Sequence, residues 1–132
     1  MRVRYADTDA DQVVYYGTYL TYFEVARVEW LRALGYPITR ILEQGVILPV
    51  VEARIRYLRP ARVDDLLTVR ATLTSVGPAS FACDYEIERE DGLLLVTGWT
   101  RLAVCERDTA RACAMPAWLR DLFAALPDTV QL

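Results

Sequence analysis

The chain has 132 residues, 54% of them hydrophobic and 25% charged, a balance that fits one globular domain over 1–132 without a linker and excludes a disordered chain. Its net charge of -3 weighs against a nucleic-acid partner, since binding phosphates needs a basic face, and all 15 basic residues are arginine. Histidine is absent, which excludes Ser-His-Asp triads, Cys-His pairs and His-ligated metals within one chain.

General acid or base work therefore falls to Asp, Glu, Tyr or a positioned water. Cys83, Cys105 and Cys113 form no CxxC pair and leave an odd count, so they read as reduced side chains of a cytoplasmic protein. No apolar stretch reaches the length of a membrane span, and none at the start has the length of a signal peptide.

In chain order, Arg2, Val3, Arg4 and Tyr5 alternate polar with apolar and predict a short first strand over 2–6. Asp7, Asp9 and Asp11 follow at alternate positions, then Val13 and Val14, then Tyr15, Tyr16 and Tyr19, which open the longest helical pattern. That helix is predicted from Gly17 or Thr18 to Leu34, ended by a left-handed cap at Gly35 and by Pro37. Thr21, Glu24, Arg27 and Arg32 make a narrow polar stripe along it. The remainder is so apolar that a sheet must wrap around it, and Tyr19 and Tyr22 are read as core residues.

From Gly45 onward the period changes to two. Val51–Leu58, Leu67–Thr74 and Phe81–Glu88 alternate as half-buried strands, and the more apolar run Leu93–Cys105 reads as a central strand. Turn residues at Arg59-Pro60, Val76-Gly77-Pro78 and Glu90-Asp91-Gly92 separate the runs, and such short connections predict antiparallel neighbours. Pro116–Leu126 carries Trp118, Leu119, Leu122, Phe123 and Leu126 on one helical face and predicts a short docking helix. The order gives an α+β fold, one long helix held in a curved five-stranded antiparallel sheet.

The three aspartates resemble the opening of a calcium loop, but such a loop needs Gly at its sixth position and Glu at its twelfth, where this chain has Gln12 and Thr18. No metal and no cofactor are expected. A solvated acidic turn that caps the helix is one account of these residues. The other is chemical: an acid on a loop entering a helix N-terminus lies beside backbone N–H groups with no intrahelical partner, where charge on a substrate oxygen is stabilised.

Asp7-Thr8-Asp9, Val13-Val14-Tyr15-Tyr16, Tyr22-Phe23-Glu24-Val25-Ala26-Arg27 and Glu29-Trp30-Leu31 resemble the signature of the 4-hydroxybenzoyl-CoA thioesterase family of hot-dog-fold acyl-CoA hydrolases. Tyr57-Leu58-Arg59-Pro60-Ala61-Arg62-Val63-Asp64-Asp65-Leu66 is similar to that family's second segment, and the match is nearest to the bacterial branch encoded beside the Tol-Pal system. The resemblance implies a hot-dog fold, hydrolysis of acyl-CoA thioesters, Asp9 as the catalytic carboxylate and the backbone N–H of Tyr16 as the group that polarises the thioester carbonyl. Tyr15 and Gly17 beside it are expected to contact substrate. Arg59 and Arg62 flank a turn at the end of a strand, where they either meet the phosphates of CoA or are solvated turn residues. Family members carry Gly at Gln12 and Asn at Thr18, and the nearest branch carries His at Tyr16; Asp9 is untouched.

Thiolate is a good leaving group, so the chemistry does not require histidine. Asp9 as nucleophile and Asp9 as general base both remain open at this point. The alternative from another class is a non-catalytic module of the same fold that binds acyl-CoA or an acyl carrier. A homodimer or homotetramer is expected, because a curled sheet leaves an exposed edge that a second subunit covers, with the site at the subunit boundary.

Overall fold

The apolar helix of the sequence is α1, Thr18–Ala33, and Gly35 follows it with φ at +91°, the left-handed cap that the pattern predicts. The computed structural model of the chain describes residues 1–126 and the backbone of 130–131. After α1 come α2 (Ile38–Glu43), β1 (Val46–Ile47), β2 (Val50–Tyr57), β3 (Leu67–Val76), β4 (Ser80–Arg89), β5 (Leu94–Ala103), β6 (Cys105–Glu106), α3 (Ala117–Ala124) and β7 (Val130–Gln131). The main sheet has the order β2-β5-β4-β3-β7 with antiparallel pairing throughout, and β1 pairs with β6 in a separate small sheet.

Alternation in β3 and β4 turns Leu67, Val69, Ala71, Cys83, Tyr85 and Ile87 onto α1, where Phe23, Ala26, Trp30 and Leu31 are buried. The Phe23 and Tyr85 rings stack at 4.4 Å between centroids. Gly98 of β5 makes that approach possible: a Cβ there would lie 2.3 Å from the Phe23 ring. Burying side chains such as Phe23 and Leu31 contributes about 1.5–3 kcal/mol each, so packing of α1 on the sheet is the main source of its stability. Docked through Leu119 and Phe123, α3 follows Pro116 and sets Phe123 against Trp30 and Phe81.

The structure corrects several expectations. No strand forms over 2–6: Arg2 makes a single bridge with Leu66, and Tyr5–Asp7 is a 3-10 turn, because the Arg4 N–H turns back to the Asp7 carboxylate. The fifth strand is instead β7, and α2 and the β1–β6 pair were not predicted. Consecutive strands β2 and β3 are not neighbours; β2 pairs with β5. The segment 58–66 is no hairpin because it runs beneath the start of α1, where Ala61 bonds Val14 and Tyr19. Arg27 leaves the solvent stripe and is buried, donating from Nη1 to the Tyr85 hydroxyl at 3.0 Å, and Tyr85 shares a second bond of 2.8 Å with Thr100. Among the described residues no helix is long and apolar enough to cross a membrane.

Candidate active site

The loop between the first turn and α1 is built on Asp7. Only 4% exposed, its carboxylate accepts from the Arg4 N–H at 3.0 Å, from Arg4 Nη2 at 2.8 Å and from the Tyr22 hydroxyl at 2.9 Å. Burial pushes the Asp7 carboxyl up, but the bonds from Arg4 and Tyr22 outweigh it and hold the group below the usual carboxylate range. Its carbonyl also accepts from the Tyr15 N–H at 2.9 Å. Asp7 is therefore a structural acid that ties the loop to α1.

Asp9, two residues on, has a different environment. It is half-buried, its backbone bonds Val13 and Gln12, and one carboxylate oxygen accepts the Asp11 N–H at 2.9 Å. Among the described residues the other oxygen has no partner. The turn that presents it requires Gln12 at φ +64°, in the left-handed region that glycine enters without steric cost, which explains the glycine of the family motif. Asp9 lines an open cavity of about 690 Å³ with Tyr5, Thr8, Gln12, Arg62 and Val63.

Just before α1 the backbone N–H groups of Tyr16 and of the N-cap Gly17 have no hydrogen-bond partner among the described residues. The Tyr57 hydroxyl donates to the Tyr16 carbonyl at 2.9 Å and fixes this corner. Tyr15 and Tyr16 lie with ring centroids 4.6 Å apart. The Tyr15 hydroxyl is held up chiefly by Tyr16, and the negative charge of Asp9 adds to the shift. A Cβ on Gly17 would meet the Tyr15 ring at 2.9 Å, so glycine keeps this pair close to the backbone. A second, more apolar pocket of about 270 Å³ is lined by Val13, Tyr16, Tyr19, Tyr57, Leu58 and Arg59.

Asp9 and Arg62 thus line one cavity and Tyr16 and Arg59 another, with no lining residue in common. Arg59 and Arg62 are both exposed and, among the described residues, make no ion pair. Tyr5, 85% exposed, and Tyr57 were missed as site residues in the sequence; Tyr57 opens the second motif segment, but its hydroxyl contact with Tyr16 crosses 41 positions. Of the cysteines, Cys83 is buried and burial pushes its thiol up to about 12, far from a reactive thiolate.

One helix wrapped by an antiparallel sheet, with an acid on the loop that enters the helix, defines the hot-dog thioesterase fold. Residues 11–96 match the Thioesterase superfamily, and the chain belongs to that family. It is 33% identical over 124 residues to the acyl-CoA thioesterase YbgC of Haemophilus influenzae, covering 93% of this chain and 90% of the relative. Among solved structures it resembles a hypothetical protein of Thermus thermophilus with a TM-score of 0.90 and 35% identity, covering 96% of each chain. It also resembles a DHNA-CoA thioesterase of Staphylococcus aureus, with a TM-score of 0.88 and 30% identity over 95% of this chain and 84% of the other.

Proposed function

We propose that the protein hydrolyses acyl-CoA thioesters to a free acid and CoA, with Asp9 as the catalytic carboxylate. Membership of the superfamily, and relatives named as acyl-CoA thioesterases and hydrolases, support a thioester hydrolase. The observation that carries the residue assignment is the contrast within the loop: Asp7 is spent on internal bonds, whereas Asp9 keeps an unpaired oxygen and lines an open cavity.

In this reading the thioester carbonyl oxygen lies at the unpaired N–H groups of Tyr16 and Gly17, where the negative charge of the tetrahedral intermediate is stabilised by two donors and the helix dipole. Asp9 takes a proton from water as water oxygen attacks the carbonyl carbon, and the C–S bond breaks to release CoA thiolate. In the nucleophilic variant, Asp9 itself attacks, CoA leaves, and water hydrolyses the mixed anhydride. Tyr15 borders the acyl carbon, and Arg59 and Arg62 meet phosphates of CoA with their unpaired guanidinium groups. The working unit is one thioesterase domain over 1–132, assembled as a homodimer or homotetramer in the cytoplasm.

Asp9→Asn is the test. Removal of a general base or nucleophile predicts a fall in kcat of about 10²–10⁴-fold on a panel of acetyl-, benzoyl- and decanoyl-CoA, with the thermal unfolding midpoint unchanged. Wild-type kcat in that variant would refute the assignment and leave the acyl-CoA binding module as the better reading.

A further inference from the structure

Gln12 occupies a backbone position that suits it badly. Its φ of +64° lies in the left-handed region, where a Cβ crowds the following carbonyl oxygen. The other described non-glycine residues at positive φ are Asp64 and Ala110, and neither lines the cavity of Asp9. Gln12 does line it. An exposed glutamine needs no explanation by itself, but one held in a strained turn beside the candidate acid does, because glycine fits that turn without strain.

The backbone sets the two side chains at opposite ends of one tight turn. The Gln12 N–H donates to the Asp9 carbonyl at 2.9 Å, and the Asp9 N–H donates to the Val13 carbonyl at 3.0 Å. Both residues border the same space of about 690 Å³, and among the described residues the Gln12 amide has no hydrogen-bond partner. The other polar groups of the cavity are poorer acceptors. Thr8 gives its hydroxyl hydrogen to the Tyr5 carbonyl at 2.7 Å, Arg62 can only donate, and the Tyr5 hydroxyl ends a side chain that is 85% exposed. Because the Gln12 amide is neutral, it brings an acceptor to the cavity without repelling the Asp9 carboxylate, as a second carboxylate would.

We propose that the side-chain carbonyl of Gln12 holds the attacking water against Asp9; this rests on the thioesterase reading above, with Asp9 as general base. Water has two O–H groups. One donates to the free oxygen of Asp9 and the other to Gln12 Oε1, which leaves a lone pair of the water oxygen for the thioester carbon. As the new C–O bond forms, the first proton passes to Asp9 and the second stays on the incoming hydroxyl. The C–S bond then breaks, CoA thiolate leaves, and the proton on Asp9 passes to it. The products are the free acid and the thiol of CoA.

The test compares Gln12→Gly and Gln12→Met with wild type on acetyl-CoA, in buffer and in dilute methanol. Methionine keeps the length of the side chain and the strain of the turn but has no amide, whereas glycine removes all three. Both variants should lower kcat about tenfold, the scale of one hydrogen bond to a neutral acceptor, with KM changed by less than about twofold. Methanol has a single O–H, which serves Asp9 and leaves nothing for Gln12. The ratio of methyl ester to free acid should therefore rise by about the same factor in both variants, since only hydrolysis loses a bond. Gln12→Gly should also raise the thermal unfolding midpoint by about 3 °C as the strain is released, and Gln12→Met should leave it unchanged. Wild-type kcat and product ratio in both variants would overturn the proposal. A loss in Gln12→Gly alone would overturn it too, since backbone or volume rather than the amide would then be the cause. Failure of the wild-type protein to hydrolyse any acyl-CoA would instead refute the thioesterase reading, and the role of Gln12 with it.

Discussion

β4 and β2 have the same kind of sequence and opposite fates. In β4 the apolar Phe81, Cys83, Tyr85 and Ile87 are all buried on α1, and the polar Asp84 and Glu86 are exposed. In β2 the alternation holds from Glu52 to Tyr57 after a register shift at Val51, yet only Ile55 is even half-covered. The same kind of strand is thus closed over by α1 in one place and left open, beside the candidate site, in the other. The two acids of the loop repeat the contrast on a smaller scale, Asp7 closed into the core and Asp9 left with a free oxygen.

The largest effect should come from breaking the closed side. Phe23→Ala removes a ring that is fully buried against Tyr85 and Gly98 and should cost about 3–5 kcal/mol in urea denaturation, from lost transfer energy and the cavity left behind. A cost below about 1 kcal/mol would mean that the helix is not gripped by the sheet as described.

Asp7→Ala sharpens the contrast between the acids. It leaves the buried Tyr22 hydroxyl without its acceptor and should cost about 1–3 kcal/mol, while Asp9→Asn should leave stability nearly unchanged. The pH dependence has a defined sign. Because the folded-state pKa of Asp7 is depressed, its contribution is fully present above the unfolded value of about 4 and is lost as pH falls through the folded value. The stability gap between wild type and Asp7→Ala should therefore narrow in acid below about pH 4; a gap that stays constant would show that the charge of Asp7 is not what holds the loop.

Local pattern made the helix, the four long strands and the terminal docking helix legible in the sequence, since each depends on the spacing of apolar residues within a single element. Contacts between distant parts were not. The chain gives no local sign that 58–66 passes under α1 and so separates β2 from β3, or that Arg27 turns inward to Tyr85 across 58 positions. The first strand failed because Arg4 and Asp7, three residues apart, bond each other and curl the backbone, which alternation alone does not reveal. At the candidate site, Asp9 and Tyr16 were singled out through motif resemblance, whereas the difference in bonding between Asp7 and Asp9 emerged only from their partners in space. Tyr57 was read as a strand residue, and its hydroxyl bond to the site depends on the tertiary fold.

The proposed working form is a homodimer or homotetramer with the site at the subunit boundary. Sedimentation equilibrium at micromolar concentration, with hydrolysis of acetyl-CoA and decanoyl-CoA assayed across the same concentration range, tests it directly. Activity should track a species of twice the chain mass of 15.0 kDa, or four times, and fall on dilution into monomer. A fully active species at 15.0 kDa would show that one chain alone forms the working site.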